Sequence, residues 1–310
     1  MAQTQEFHFA SSTGKNTVRA VRWAPDDGEV RGVVQLAHGV AEHIDRYGEF
    51  ASFLAAHGFA VVGNDLLGHG KTVTDPADKG FFAETDGWRR VGDDLHALGE
   101  AERARYPGRP YFLLGHSMGS FLARTYLIDH PGALTGCVLS GTGWQPRPLC
   151  ALALAMARAE ERRLGPRGKS EKLNRLFFGS YNDRFRPART THDWLSKNTA
   201  SVDAYVADPD CGYIPSVELF SEMLRGMAYN ETPANLKKMD PAAPVLFLSG
   251  ADDPVGSYGR GVERSRAAFV RAGCRDVTMK LWPGGRHEML NETNRAEVYD
   301  CVLAWLAARL

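Results

Sequence analysis

Three separated stretches carry the residue types that acyl transfer requires. Gly115-His116-Ser117-Met118-Gly119 sets a serine between two glycines, after the apolar run Tyr111–Leu114 and before a helical pattern containing Phe121, Leu122 and Leu127. A turn tight enough to expose one serine between a strand and a helix leaves no room for side chains at its flanks, so glycines are needed there. The helix start then offers free N–H groups and a positive dipole end to a developing oxyanion. A hydroxyl attacks poorly until a base removes its proton, and the base must be held by a third group. The run Pro244–Leu248 leads into Ser249-Gly250-Ala251-Asp252-Asp253-Pro254-Val255, which places two adjacent carboxylates at the end of a strand. Asp253, three residues past Gly250 and just before Pro254, is the expected acid, and Asp252 reads as a solvated or turn-capping carboxylate. The run Val277–Trp282 leads into Pro283-Gly284-Gly285-Arg286-His287-Glu288, where His287 is the only histidine after Asp253. Ser117, Asp253 and His287 therefore form the expected catalytic set, in the order nucleophile, acid, base.

An oxyanion needs two donors. One is expected from the N–H of Met118, the residue after the nucleophile. The other is expected from Val40 in the loop Ala37-His38-Gly39-Val40-Ala41-Glu42-His43, where Gly39 lets the backbone approach a substrate. His38, Glu42 and His43 raise the question of a metal. Their spacing is not that of a zinc helix and no further ligand cluster is apparent, so neither a metal nor a cofactor is expected.

These residues need a scaffold whose strand ends converge. Val18–Trp23, Gly32–Ala37, Phe59–Gly63, Tyr111–Leu114, Ala133–Leu139, Pro244–Leu248 and Val277–Trp282 read as strands. Tyr47–His57, Gly87–Arg105 and Met118–His130 read as helices, as does a last segment carrying Val298, Val302, Trp305 and Leu306. Apolar strands alternating with amphipathic helices predict an α/β fold, a mostly parallel sheet flanked by helices. The alternation lapses between about Thr142 and Asp240. Leu149–Arg163 begins almost wholly apolar, and Phe220, Met223, Leu224 and Met227 follow Pro215 at helical spacing. The expected organisation is a core of residues 1–141 and 241–310 with an inserted helical cap over 142–240. Leu149, Leu152, Leu154 and Met156, with Phe220, Met223 and Met227, are expected to enclose an acyl tunnel above Ser117.

The chain has 310 residues, 44% of them hydrophobic, enough for one domain with an insertion. Lys+Arg and Asp+Glu are equal at 37 each, so nothing in the net charge argues for nucleic acid. The five cysteines are scattered and odd in number, which suits a reducing, cytoplasmic compartment. Met1–Phe9 is polar and does not read as a secretory signal. No run reaches the length of a membrane span, although the apolar cap segments would suit a transient contact with a membrane surface.

Four blocks together resemble the monoacylglycerol lipase and lysophospholipase branch of the α/β-hydrolases, a group that includes serine aminopeptidase S33-like sequences. They are His38-Gly39-Val40-Ala41-Glu42-His43 with Arg46-Tyr47, Asp65-Leu66-Leu67-Gly68-His69-Gly70, Leu114-Gly115-His116-Ser117-Met118-Gly119, and Gly285-Arg286-His287-Glu288. The resemblance implies the α/β-hydrolase fold, an oxyanion-hole amide from Val40, a bracing rather than catalytic role for the Asp65 block, and monoacylglycerol or lysophospholipid substrates. It covers about residues 30–141 and 240–310. The cap looks like that of bacterial lysophospholipase-like hydrolases. Thr72 and Ser120 depart from the family pattern at positions away from the triad. The expected activity is hydrolysis of a small-molecule acyl ester or lipid through an acyl-enzyme. An aminopeptidase or amidase would use the same triad but needs carboxylates such as Glu160, Glu161 or Glu218 to hold a free amine. A catalytically inactive binding module is the other alternative. Dehalogenase and epoxide hydrolase chemistry is disfavoured, because Ser117 stands where those enzymes carry an aspartate.

Overall fold

The structure, a computed structural model, describes residues 2–26 and 29–310; Met1, the first residue of the polar Met1–Phe9 stretch, lies outside the described residues, as do Asp27 and Gly28. Eight strands form one sheet: β1 (Ala2–Ala10), β2 (Thr17–Pro25), β3 (Gly32–Ala37), β4 (Phe59–Asn64), β5 (Tyr111–His116), β6 (Gly136–Ser140), β7 (Val245–Gly250) and β8 (Val277–Trp282). Their order is β1-β2-β4-β3-β5-β6-β7-β8. β1 pairs antiparallel with β2 and β2 antiparallel with β4, and every other pairing is parallel. The helices are α1 (Gly48–Ala56), α2 (Gly87–Arg105), α3 (Met118–Asp129), α4 (Arg147–Leu164), α5 (Glu171–Phe178), α6 (Thr199–Ala207), α7 (Val217–Asn230), α8 (Pro233–Leu236), α9 (Arg260–Ala272) and α10 (Arg295–Ala307).

Because successive side chains of a strand point to opposite faces, each central strand feeds two cores. Leu113, Cys137, Leu139 and Phe247 pack with α2, α3, α7 and α9, while Phe112, Leu114, Val138, Leu246 and Leu248 pack with α1 and α10. β1 was not legible as a strand. It is an edge strand, mostly exposed, and only Phe7 and Phe9 reach a small cluster with Ala20, Val62 and Leu98. β6 begins three residues later than the apolar run Ala133–Leu139 suggests, because Ala133 closes a turn onto His130 and Leu134 is buried in the loop that follows.

The chain leaves β3 toward β4 on one side and returns to β5 on the other. The C-terminal ends of β3 and β5 thus flank the switch point, where open α/β sheets place their ligands. His38 follows β3, Ser117 follows β5, Asp253 follows β7 and His287 follows β8, all at the same sheet edge. Between β6 and β7 the described residues form helices and loops, with one isolated bridge, Lys169 to Ser216. In this interval α4 packs on α7, and α7 lies against α2 and α3.

Candidate active site

Ser117 is the one partly exposed residue in the buried run from Tyr111 to Ile128, and its backbone is left-handed, with φ 52° and ψ −119°. A non-glycine residue held there is strained. The neighbouring strands and helix hold it in place: the Ser117 N–H donates to the Ser140 carbonyl at 2.9 Å. The glycines are a packing requirement. A Cβ on Gly115 would lie 2.2 Å from the Gly119 carbonyl oxygen, and one on Gly119 would lie 2.0 Å from that of Ala37.

Asp253 and His287 are both buried, at 0% and 2% exposure, with His287 Nδ1 3.0 Å from Asp253 Oδ2. A carboxylate can only accept, so Nδ1 carries the proton and Nε2 is left as the basic nitrogen. Asp253 is oriented by the Val255 N–H, which donates to Oδ1 at 2.9 Å, and by the Ser249 hydroxyl, which donates to Oδ2 at 3.2 Å. Asp252 is exposed and faces a separate small cavity with Arg184 and Lys197. Burial pushes the His287 imidazole down, but the Asp253 carboxylate, by charge and by hydrogen bond, carries it above the ordinary histidine range. Beside it, the His116 ring centroid lies at 4.7 Å and that of Trp194 at 5.0 Å. Burial, with the repulsion of a charged His287, pushes His116 down to about 4, so His116 is a neutral wall of the site.

The loop after β3 lies directly over the serine. A Cβ on Gly39 would sit 3.2 Å from Ser117 Cβ. Among the described residues, neither the Val40 amide nor the Met118 amide has a protein acceptor. The loop is held from both sides. His38 Nε2 accepts from the Leu66 N–H at 3.0 Å, and Asp65 accepts from the Ile44 and Lys71 amides at 2.9 Å each, so the Asp65 block acts as a brace. Burial pushes His69 down to about 3, which keeps it neutral.

The sequence reading missed an ion network joining the loops that follow β3 and β8. Glu42 accepts from the Gly39 N–H at 2.5 Å, from the Tyr47 hydroxyl at 2.9 Å and from Arg46. Arg46 also makes a two-pronged contact with Glu288, at 2.7 and 2.6 Å. Burial pushes both carboxyls up, yet the Arg46 guanidinium holds both below the usual range. The only local signal was the four-residue spacing of Glu42 and Arg46. His38, Glu42 and His43 are not gathered at one point: His38 is bound to Leu66 and Glu42 to Arg46, while His43 faces Asp208.

Ser117, His287, Val40 and Met118 all line one cavity of about 1300 Å³. Its apolar wall includes Phe121, Leu149, Phe178, Met223, Leu224 and Met227, and its polar wall includes Asn174, Asn182, Arg186 and Thr190. Several expectations for the tunnel are corrected. Leu152 is 61% exposed and points away, Leu154 and Met156 pack against the core, and Phe220 is fully buried against Phe177 and Phe178. Glu160, Glu161 and Glu218 do not line the cavity either. Glu160 is bound by Arg163 and Ser170, and Glu218 accepts from the Phe82 N–H.

The sheet order, the strained serine turn and the paired aspartate and histidine at neighbouring strand ends define an α/β-hydrolase. A sequence model of the serine aminopeptidase S33 family matches residues 28–294, and the chain belongs to that family. It is 29% identical over 307 residues to a monoacylglycerol lipase of Mycolicibacterium smegmatis, covering 98% of each chain. It is 31% identical over 283 residues to a monoglyceride lipase homologue of monkeypox virus, covering 90% of this chain and 91% of the viral one. Its fold superposes with a TM-score of 0.91 on a thermostable carboxyl esterase from Bacillus coagulans in complex with glycerol, at 29% identity and with 99% of each chain covered. The protein is accordingly a serine ester hydrolase.

Proposed function

We propose that the protein hydrolyses monoacylglycerols or lysophospholipids, with Ser117 as nucleophile, His287 as base and Asp253 as its orienting acid. Ser117 Oγ attacks the acyl carbonyl as His287 Nε2 takes its proton. The N–H groups of Val40 and Met118 receive the oxyanion, and the imidazolium returns the proton to the leaving glycerol oxygen. Water, activated by the same histidine, then releases the fatty acid. The observation that carries this reading is the buried 3.0 Å Asp253–His287 pair, whose histidine lines the same mostly apolar cavity as Ser117. The names of the relatives support a glycerolipid substrate over a peptide. So does the cavity wall: of its three carboxylates, Glu42 and Glu288 are already engaged by Arg46, which leaves Glu171.

On the same reading, residues 142–240 are a helical cap inserted between core segments 1–141 and 241–310. Contact of the cap with a membrane surface is supported by Leu149 and Leu176, 52% and 49% exposed and also part of the cavity wall. Among the described residues no helix is long and apolar enough to cross a membrane. A cytoplasmic location is supported by five free cysteines, four of them buried.

The test is a fluorophosphonate label followed by a substrate panel. The label should add to Ser117 alone, and monoacylglycerols or lysophospholipids should be cleaved far faster than aminoacyl amides. Labelling at another residue removes the nucleophile assignment, and faster amide cleavage replaces the lipid substrate with a peptide.

A further inference from the structure

His43, Asp208 and Cys211 come from two distant parts of the chain and meet beside the oxyanion loop. One ligand atom from each lies within 4.8 Å of the others, and His43 Nε2 is 2.9 Å from Asp208 Oδ2. From these positions we infer that the trio is a binding site for a divalent transition-metal ion, zinc above all.

An imidazole nitrogen, a thiolate and a carboxylate form the mixed nitrogen, sulfur and oxygen set that zinc accepts and that magnesium and calcium do not. Zinc bonds of 2.0–2.3 Å in a tetrahedron would set these atoms about 3.3–3.7 Å apart. Closing the trio from within 4.8 Å to that spacing asks for a shift of about 1 Å at the widest pair. The surroundings are those of a held ligand set. Asp208 is fixed by the Asp210 N–H, which donates to Oδ1 at 2.8 Å and leaves Oδ2 turned to His43. The other imidazole nitrogen, Nδ1, lies 4.0 Å from Asp45 Oδ2. Asp45 is itself anchored by Arg19 at 2.8 Å and Lys71 at 3.2 Å. At that separation Asp45 is a nearby negative charge and not a hydrogen-bond partner of the imidazole.

The charges are compatible. Arg46, whose charge acts on Cys211, is already neutralised by Glu42 and Glu288. Lys79 is turned to Asp210 at 2.7 Å. Metal, one carboxylate and one thiolate sum to zero. On binding, the Cys211 S–H bond breaks, the sulfur–metal bond forms and the proton passes to solvent. The imidazole proton moves from Nε2 to Nδ1, facing Asp45. Asp208 is about one-third exposed, which leaves a side open to water as fourth ligand. The ion would tie the Asp208–Gly212 loop to the oxyanion loop, adding to the hydrogen bonds that the Gly212 N–H and the Tyr205 hydroxyl already donate to the Ala41 carbonyl at 3.0 and 2.9 Å.

The experiment uses the full chain, stripped of metal with a chelator and titrated first with cobalt(II) and then with zinc(II). One ion per chain should bind, with a thiolate-to-cobalt charge-transfer band that zinc abolishes. About one proton per chain should be released in weak buffer, and the melting temperature should rise. Cys211→Ser should remove the band. His43→Gln and Asp208→Asn should each weaken zinc binding by at least tenfold. Cys301→Ser should change none of these. Asp208→Asn alters a half-exposed side chain, so it keeps the test readable if the cysteine variant unfolds. A band that survives in Cys211→Ser, zinc affinity unchanged in Asp208→Asn, or binding only at millimolar zinc would each overturn the site.

Discussion

Asp252 and Asp253 are neighbours in sequence and opposites in environment. Asp252 is exposed, whereas Asp253 is fully buried, accepts from a backbone amide and a hydroxyl, and faces His287. On the proposed mechanism neutral imidazole is the active base, so kcat/KM should rise with pH and reach half its plateau above pH 6.5, because the carboxylate raises the histidine above that value. Asp253→Asn takes away the group that raises it and leaves the burial that lowers it. The acid limb should therefore move to lower pH while the plateau falls about 10⁴-fold, the loss seen in comparable triads. Asp252→Asn should change the plateau by less than about twofold, since a solvated carboxylate contributes little at that distance. Paired pH profiles decide this, and a larger loss in Asp252→Asn would make Asp252 the acid. The proposed triad could be picked out in the sequence because each member follows a strand into a glycine-bearing turn, a purely local pattern. The choice between two adjacent aspartates rests on which way the loop turns, and only the fold supplies that. The same holds for Glu42, Arg46 and Glu288, whose outer members are far apart in sequence, and for His43 with Asp208, 165 residues apart.

At the scale of elements, α7 shows how the helices between β6 and β7 are fixed to the rest of the molecule. Glu218 accepts from the Phe82 N–H at 3.0 Å and Glu222 from the Trp88 N–H at 2.9 Å, while Glu231, just past the helix end, accepts from the Gln145 N–H at 2.7 Å within the same interval. Burial, only partly offset by these amides, pushes Glu218 up to about 8 and Glu231 up to about 7. Both folded values lie above the ordinary 4.5, so between them the folded state holds protons that the unfolded chain has lost. Stability is then fully present below about pH 4.5 and is lost as pH rises through 7 and 8. The melting temperature should fall between pH 6 and pH 9, and Glu218→Gln, which keeps an oxygen for Phe82 and cannot ionise, should flatten that fall. Thermal melts of both proteins across this range are the check; parallel curves would place the pH dependence elsewhere. Elements of this kind were the least legible. β3, β4, β5, β7, α2 and α3 declare themselves because burial on both faces, or on a helical stripe, leaves a strong apolar pattern. β1 carries a polar, half-exposed edge pattern, and α4 leaves Leu149 and Leu152 exposed, so in neither does apolar content report burial.

At the scale of the molecule, the sheet edge supplies the reacting groups and the segment between β6 and β7 supplies the room. The cavity of about 1300 Å³ is far larger than an acetyl group needs, and Met223, Leu224 and Met227 of α7 line it with apolar surface. Each methylene moved from water into such a surface contributes about 0.8 kcal/mol, nearly fourfold in rate if fully realised at the transition state. Measured on glycerol monoesters of increasing acyl length, kcat/KM should climb over several carbons from acetyl and then level off where the apolar wall ends. Met223→Glu or Met227→Glu places a charge against the chain and should flatten the climb while sparing acetyl esters. Met156→Glu should leave the slope unchanged, because Met156 packs against the core and not on the cavity. If acetyl esters are the best substrates, or if the α7 variants lower all chain lengths equally, then the apolar wall does not hold the acyl chain. The polar wall around Asn174, Asn182 and Thr190 would then be the surface that selects the substrate.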